Sequence, residues 1–344
     1  IAAKKAGVKV EEFAIGFPPR LIAFKKGETE YSINLIPIGG YVKMLGELEQ
    51  TKDKRALENQ KPSKRFVIAI AGVVMNLLLA WFILTIGFAV GMSPIVSEPD
   101  SLPGKKISSD LTIESVVADS AASKVGLRAG DIILEARAGG VVFSFDVPGK
   151  LSEFTTQNAG KEVTFKYKRD DVISEKIIQL SNTADGPLGV TTGSRTIVRV
   201  PWYQSPYIAL VETYKITKLT FDFLGGFFGK LFSTGKVAEG VGGPVAIYIY
   251  TGLAVKLGIM TLMQFIAMLS INLALINILP FPALDGGRIL FILVEGIFRK
   301  KVVKERLENI IHTAGFALLL VLMVAITYKD VINLPFFQHL FFNK

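Results

Sequence analysis

The chain has 344 residues, of which 50% are hydrophobic and 20% charged, with a mean hydropathy of +0.43. That balance excludes an ordinary soluble domain, which carries more charge, and points to a membrane protein. The 39 Lys and Arg against 30 Asp and Glu give a net charge of +9. These basic residues cluster beside apolar segments and no basic groove motif accompanies them, so orientation in a bilayer explains them and nucleic-acid binding is set aside. With no cysteine, disulfides, thiolate metal sites and cysteine nucleophiles are excluded for these residues. Residue 1 is Ile and no signal peptide is visible, so the chain is expected to be a fragment of a longer protein.

Residues 1–65 carry thirteen Lys and Arg and are expected to form a cytoplasmic segment. Within it, EEFAIGFPPRLIAFKKGETEYSINLIPIGGYVKMLGE has two runs of strand character with KKGET as the turn between Phe24 and Tyr31. A hairpin this apolar is expected to be membrane-associated, its backbone buried in protein or lining a wet cavity. Residues 66–92 contain no charge over a span longer than the roughly 20 residues a bilayer helix needs. The region that follows must then be exoplasmic. Residues 108–182 alternate short β-branched runs with Gly and Asp turns, with a helix at KLSEFTTQ, 150–157, and a hairpin around Arg169-Asp170-Asp171. Residues 183–256 read as a linker and an amphipathic membrane-surface helix, interrupted by the Gly-Gly-Pro of VGGPVAIY. A second span covers 257–284, a short helix and basic cytoplasmic loop 285–309, a third span 310–328, and an exoplasmic tail 329–344. The fold class is thus a multi-span α-helical membrane protein with a membrane-associated β-hairpin and an inserted exoplasmic β-rich domain.

The chemistry concentrates in NILPFPALDGGR, 277–288. A carboxylate at a helix centre in a bilayer costs about 2.5 to 3.5 kcal/mol on insertion scales, so such groups face a cavity or a partner. Pro280 and Pro282 remove two backbone donors and leave carbonyls free, and Asn272 and Asn277 add amides. Free groups of this kind suit a site that holds an extended peptide. Metal is the natural partner for Asp285, since zinc accepts a carboxylate as a third protein ligand and keeps an open position. The alternative is that Asp285 caps the helix beginning GGRILFILVEGIF.

Two patterns carry a resemblance. Asn277-x-x-Pro280-x-Pro282-x-Leu284-Asp285-Gly286-Gly287 resembles the NxxPxPxLDGG motif of the site-2 protease family of intramembrane zinc metalloproteases, in its bacterial RseP-type (regulator of sigma-E protease) branch. The sub-pattern VxxxSxAxxxGLxxGDxI, Val116 to Ile133, is similar to PDZ modules of bacterial membrane and periplasmic proteases. AGVVMNLLLA with Asn76, IPIGGYVKMLGE with Gly39, Gly40 and Tyr41, VGGPVAIY and ENIIHTAGFALLLVLM agree with the family along the whole chain. The resemblance implies Zn2+ as cofactor and Asp285 as its third protein ligand. Asn272, Asn277, Pro280, Pro282, Gly39, Gly40 and Tyr41 would handle substrate, with Gly286, Gly287 and Asn76 as supporting motif residues. It implies regulated intramembrane proteolysis of single-span membrane proteins, after a cut by an upstream site-1-type protease, in the bacterial inner membrane with the PDZ-like domain exoplasmic.

The family's His-Glu-x-x-His helix, whose histidines bind the metal and whose glutamate activates water, has no counterpart here. The only histidines are His312 and His339, neither in that pattern. No catalytic residue is therefore assigned within the 344 residues, the missing helix is expected just upstream of Ile1, and the fragment alone is expected to be inactive. His312 reads as structural. The competing class is a non-enzymatic membrane-anchored PDZ scaffold binding extracytoplasmic tails; a transporter is disfavoured by the lack of an internal repeat.

Overall fold

The computed structural model describes residues 1–47, 51–145, 148–169, 172–182, 186–234, 242–299 and 305–332. The chain divides into two compact units, Ile1–Ala80 with Leu219–Tyr250 and Met268–Lys344, and Trp81–Lys218 with Thr251–Ala267.

The first unit opens with a short helix α1 (Ala2–Lys5) and two long strands, β1 (Val10–Lys26) and β2 (Thr29–Met44). The strands reverse at Gly27, whose φ of +63° suits glycine, and Lys26 faces Thr29 across the turn. The pairing is richer than one hairpin. Glu12 to Ile15 face 40–43 on one side and 30–33 on the other, and 30–33 also face 22–25. Four stretches therefore lie side by side, with 40–43 along one edge. Polar side chains are buried in this sheet beside Val10 and Ala14: the Thr29 hydroxyl donates to Val10 O (2.9 Å), the Ser32 hydroxyl to Glu12 (2.8 Å) and the Asn34 amide to Gly16 O (3.1 Å). Its surface is apolar, with Phe13, Ile15, Phe17, Leu21, Ile22, Phe24, Ile33, Leu35 and Ile36 exposed. Such exposure suits contact with a membrane or with another protein surface rather than bulk water. Helix α2 (Pro62–Val90) begins in this unit.

The second unit holds a sheet of six antiparallel strands, β3 (Lys105–Val116), β4 (Ile132–Ala138), β5 (Val141–Ser144), β6 (Glu162–Arg169), β7 (Val172–Gln179) and β8 (Val190–Arg199), with helices α3 (Ala121–Lys124) and α4 (Pro148–Gln157). The order is β7-β6-β4-β3-β8, with β5 on β4. Alternation builds its core: in β6, Val163, Phe165 and Tyr167 are buried and their neighbours are not, the period of two that a half-covered strand requires. Together with Leu111, Ile113, Ile133, Leu151, Phe154 and Ile178 they form one apolar cluster. The sheet extends beyond the limits 108–182 expected from sequence. β8 pairs with β3 from Lys105–Arg199 to Val116–Val190, although VTTGSRTIVR lacks a clean alternation. The expected Asp170-Asp171 turn lies outside the described residues, but Arg169 and Val172 pair on either side of it.

The remaining helices are α5 (Ser205–Thr234), α6 (Pro244–Lys256), α7 (Ile259–Ile278), α8 (Asp285–Phe298) and α9 (Glu305–Ile332). Three stretches, Pro62–Val90, Ile259–Ile278 and Ile310–Ile332, are long and apolar enough to cross a membrane.

Candidate functional site

Asp285 is placed by the turn before it. Because Pro280 and Pro282 lack an amide hydrogen, the helical ladder cannot continue past α7. Instead Leu279 N donates to Ile276 O (3.1 Å), Phe281 N to Leu279 O (2.7 Å) and Leu284 N to Phe281 O (3.2 Å). The chain thus folds tightly before α8, and Leu284, extended at φ −97° and ψ 163°, is the N-cap. Ala283, between Pro282 and Leu284, takes a φ of +77°, a left-handed conformation that costs a non-glycine residue about 1–2 kcal/mol. Its N–H donates to Nδ1 of His312 on α9 (2.9 Å).

Asp285 is the first residue of α8 rather than its cap, and its carboxylate lies where the helix dipole favours negative charge. Gly286 and Gly287 begin the helix because nothing larger fits. A Cβ on Gly286 would press into the carbonyl oxygens of Ile278 and Leu279, and one on Gly287 into that of Phe281. The Asp285 carboxylate is partly buried, with no hydrogen bond or ion pair among the described residues. Across from it is Gly72 of α2, where a Cβ would sit 3.6 Å from Oδ2. A side chain there would fill the space beside the carboxylate. Burial raises the Asp285 carboxyl above its ordinary range; the Arg288 charge opposes this and the Glu47 charge adds to it. A cation at the carboxylate would favour the ionised form.

Two ion pairs fix the surroundings. Arg288, one turn beyond Asp285, donates to Glu47 Oε1 (2.6 Å), and Glu47 Oε2 accepts from Met44 N (3.2 Å), so the exit of the β-sheet is tied to α8. Arg65 at the start of α2 donates to Glu295 (2.7 Å), both largely buried. Sequence reasoning missed the Glu47–Arg288 pairing, although its signal was present: Glu47 ends GGYVKMLGE and Arg288 follows LDGG with opposite charge.

The other expected residues fall into two groups. Asn272 on α7 accepts from Thr220 of α5 (3.3 Å), Asn277 and Pro282 are partly buried, and Pro280 is exposed. Asn76, partly buried, lies four residues beyond Gly72 and so on the same face of α2. Gly40 and Tyr41 sit on the edge stretch of the sheet, and Gly39 comes just before it in β2. Gly39 takes a φ of +73°, and a Cβ on Gly40 would lie 2.5 Å from Ala14 O, so neighbouring backbones approach there as no other residue would allow. Among the described residues, no hydrogen bond or ion pair joins these three to Asp285; the link runs through Glu47 and Arg288. His339 lies outside the described residues.

Among the described residues, no group of three or more His, Cys, Asp or Glu is placed to hold a metal. The free Asp285 carboxylate fits one ligand of a site that needs others.

The family model described as Peptidase family M50 matches residues 1–322. A protein of Clostridium acetobutylicum, named provisionally as a zinc metalloprotease, is 35% identical over 96% of this chain and 91% of its own length. The zinc metalloprotease RasP of Shouchella clausii is 29% identical over 96% of this chain and 94% of its own. The membrane metalloprotease ARASP, chloroplastic, of Arabidopsis thaliana is 29% identical over 99% and 76%. The solved PDZ domain of an SdrC-like protein from Listeria monocytogenes matches 27% of this chain and 90% of that domain at 24% identity, with a TM-score of 0.21, a superposition too loose to assign a fold.

Proposed function

The chain belongs to Peptidase family M50, and we propose that it supplies one zinc ligand and the substrate-handling surfaces of a membrane-embedded metalloprotease. The observation that carries the reading is the free, partly buried Asp285 carboxylate facing Gly72 at the end of the PxPxLDGG turn. The names of the relatives support zinc as the metal. Bound zinc supplies Lewis acidity and activates water at neutral pH. Its further ligands and the general base are those of the His-Glu-x-x-His helix, a motif that these 344 residues do not contain.

The chain's own residues bind and orient. The unwound substrate strand adds to the edge at 40–43, where main-chain hydrogen bonds read any sequence and Gly39, Gly40 and Tyr41 leave room for its approach. Asn272, Asn277, Pro280 and Pro282 steady the stretch nearest Asp285. The three apolar helices cross the bacterial inner membrane, with the basic 1–65 segment cytoplasmic and the β-rich sheet exoplasmic. That sheet acts as a PDZ-like reader of tails left by an earlier protease, so that trimmed single-span proteins are the substrates.

The test uses full-length protein purified in detergent, with Asp285→Ala beside it. Wild type is expected to hold zinc and release a fragment from a single-span reporter, and the variant to lose both. Undiminished zinc and cleavage in Asp285→Ala would sink the ligand assignment.

A further inference from the structure

His312 stands on α9, one turn before Gly315, and the two residues share a helix face. Both touch the turn that precedes Asp285. His312 Nδ1 accepts the N–H of Ala283 at 2.9 Å. Gly315 lies so close to Pro282 that a Cβ there would be 2.5 Å from its Cβ and 2.7 Å from its carbonyl oxygen. Pro282 has no N–H and Ala283 holds a φ of +77°, so among the described residues neither contributes an amide to the backbone hydrogen bonds of the turn. Leu284 N is satisfied within the turn, and the amide of Ala283 is satisfied by the imidazole.

The rest of the ring does little else. Its edge meets Phe291 of α8, with centroids 5.7 Å apart. Nε2 is buried and has no partner among the described residues. With Nδ1 accepting, the proton of the neutral ring resides on Nε2. A histidine that leaves one nitrogen buried and unpaired is poorly explained as filler, because an apolar ring would pack there without that cost. What the ring provides that phenylalanine would not is the acceptor at Nδ1.

We propose that His312 is a positioning residue for Asp285: by accepting the Ala283 amide it holds the left-handed turn that sets the carboxylate opposite Gly72. It touches no reacting atom. The proposal rests on the reading of Asp285 as a zinc ligand, and it extends the site to a helix outside the LDGG motif. A group that orients a metal ligand without binding the metal commonly changes metal affinity by about 10- to 100-fold when lost.

The test compares four variants with wild type in full-length, detergent-purified protein, counting zinc per chain across a chelator series alongside reporter cleavage. His312→Phe keeps the ring and its contact with Phe291 but loses the acceptor, and is expected to weaken zinc retention by about tenfold. His312→Asn, whose side-chain oxygen can take the place of Nδ1, is expected to recover retention. Adding Ala283→Gly to His312→Phe is expected to recover part of it, because glycine adopts the positive φ without strain. Asp285→Ala is expected to lose zinc outright. If Asp285→Ala loses zinc while His312→Phe retains it like wild type, the positioning role is overturned and the ligand reading stands. If Asp285→Ala retains zinc, both fall together. Should His312→Phe accumulate poorly, rescue of zinc retention by asparagine or by Ala283→Gly supports the proposal. Failure of both rescues means that the ring acts through bulk packing, which overturns it.

Discussion

At Gly286 and Gly287 the requirement is space rather than conformation. Neither takes a positive φ, yet a methyl group on either would press into carbonyl oxygens of the preceding turn. Replacing Gly287 by Ala is expected to destabilise the protein by about 1–3 kcal/mol, the usual cost of overpacking. An unchanged thermal midpoint in detergent would show that the turn yields instead. Much at this scale was legible: the order Pro-x-Pro-x-x-Asp-Gly-Gly says that a helix stops, turns and restarts at an acidic residue. The grip of His312 on Ala283 was not legible. It joins residues 29 positions apart, and a lone histidine in an apolar helix gives no sign of which backbone amide it will meet.

Among the elements, α5 shows how a charge pattern misleads. Its scattered charges read as the polar face of a surface helix, yet Glu212 is fully buried. Its carboxylate accepts the successive amides of Ile95 (2.6 Å), Val96 (2.7 Å) and Ser97 (3.2 Å) together with the Ser97 hydroxyl, to which Lys215 also donates. Truncation to Glu212→Ala strands several buried donors and is expected to cost about 3 kcal/mol or more, with Glu212→Gln intermediate. A loss below about 0.5 kcal/mol on chemical denaturation, the range of ordinary surface changes, would contradict this latch. The motif from Val116 to Ile133 was far easier to read, because each position has a local reason. Ser120 caps α3 by accepting from Ser123 N (3.2 Å), Ala122 and Leu127 are buried, and Gly126 and Gly130 take positive φ. The buried Asp131 then accepts from Arg128 N (2.9 Å) and from the Arg169 guanidinium (2.6 and 2.7 Å). β8, by contrast, reads as linker from sequence, since its Thr, Ser and Gly gain strand character only by pairing with β3.

For the whole molecule, the apolar runs and basic flanks made the three candidate spans visible from composition alone, because length and charge are all a bilayer asks. The folded-over sheet of residues 10–44 was only half legible: the turn at Gly27 is local, whereas the second set of partners for Glu12 to Ile15 is not. The orientation proposed from the basic flanks can be checked in a chain free of cysteine. A single Val141→Cys on exposed β5 is expected to react with a membrane-impermeant maleimide in intact spheroplasts, and Lys54→Cys only after permeabilisation. The reverse order would invert the topology. As a proposed zinc ligand Asp285 must touch the metal, and X-ray absorption at the zinc edge of full-length Asp285→Cys separates a ligand from a bystander. A new sulfur neighbour at about 2.3 Å, the ordinary Zn–S distance, is the expected result; a fully loaded site whose zinc shell shows the same nitrogen and oxygen neighbours as wild type would contradict it.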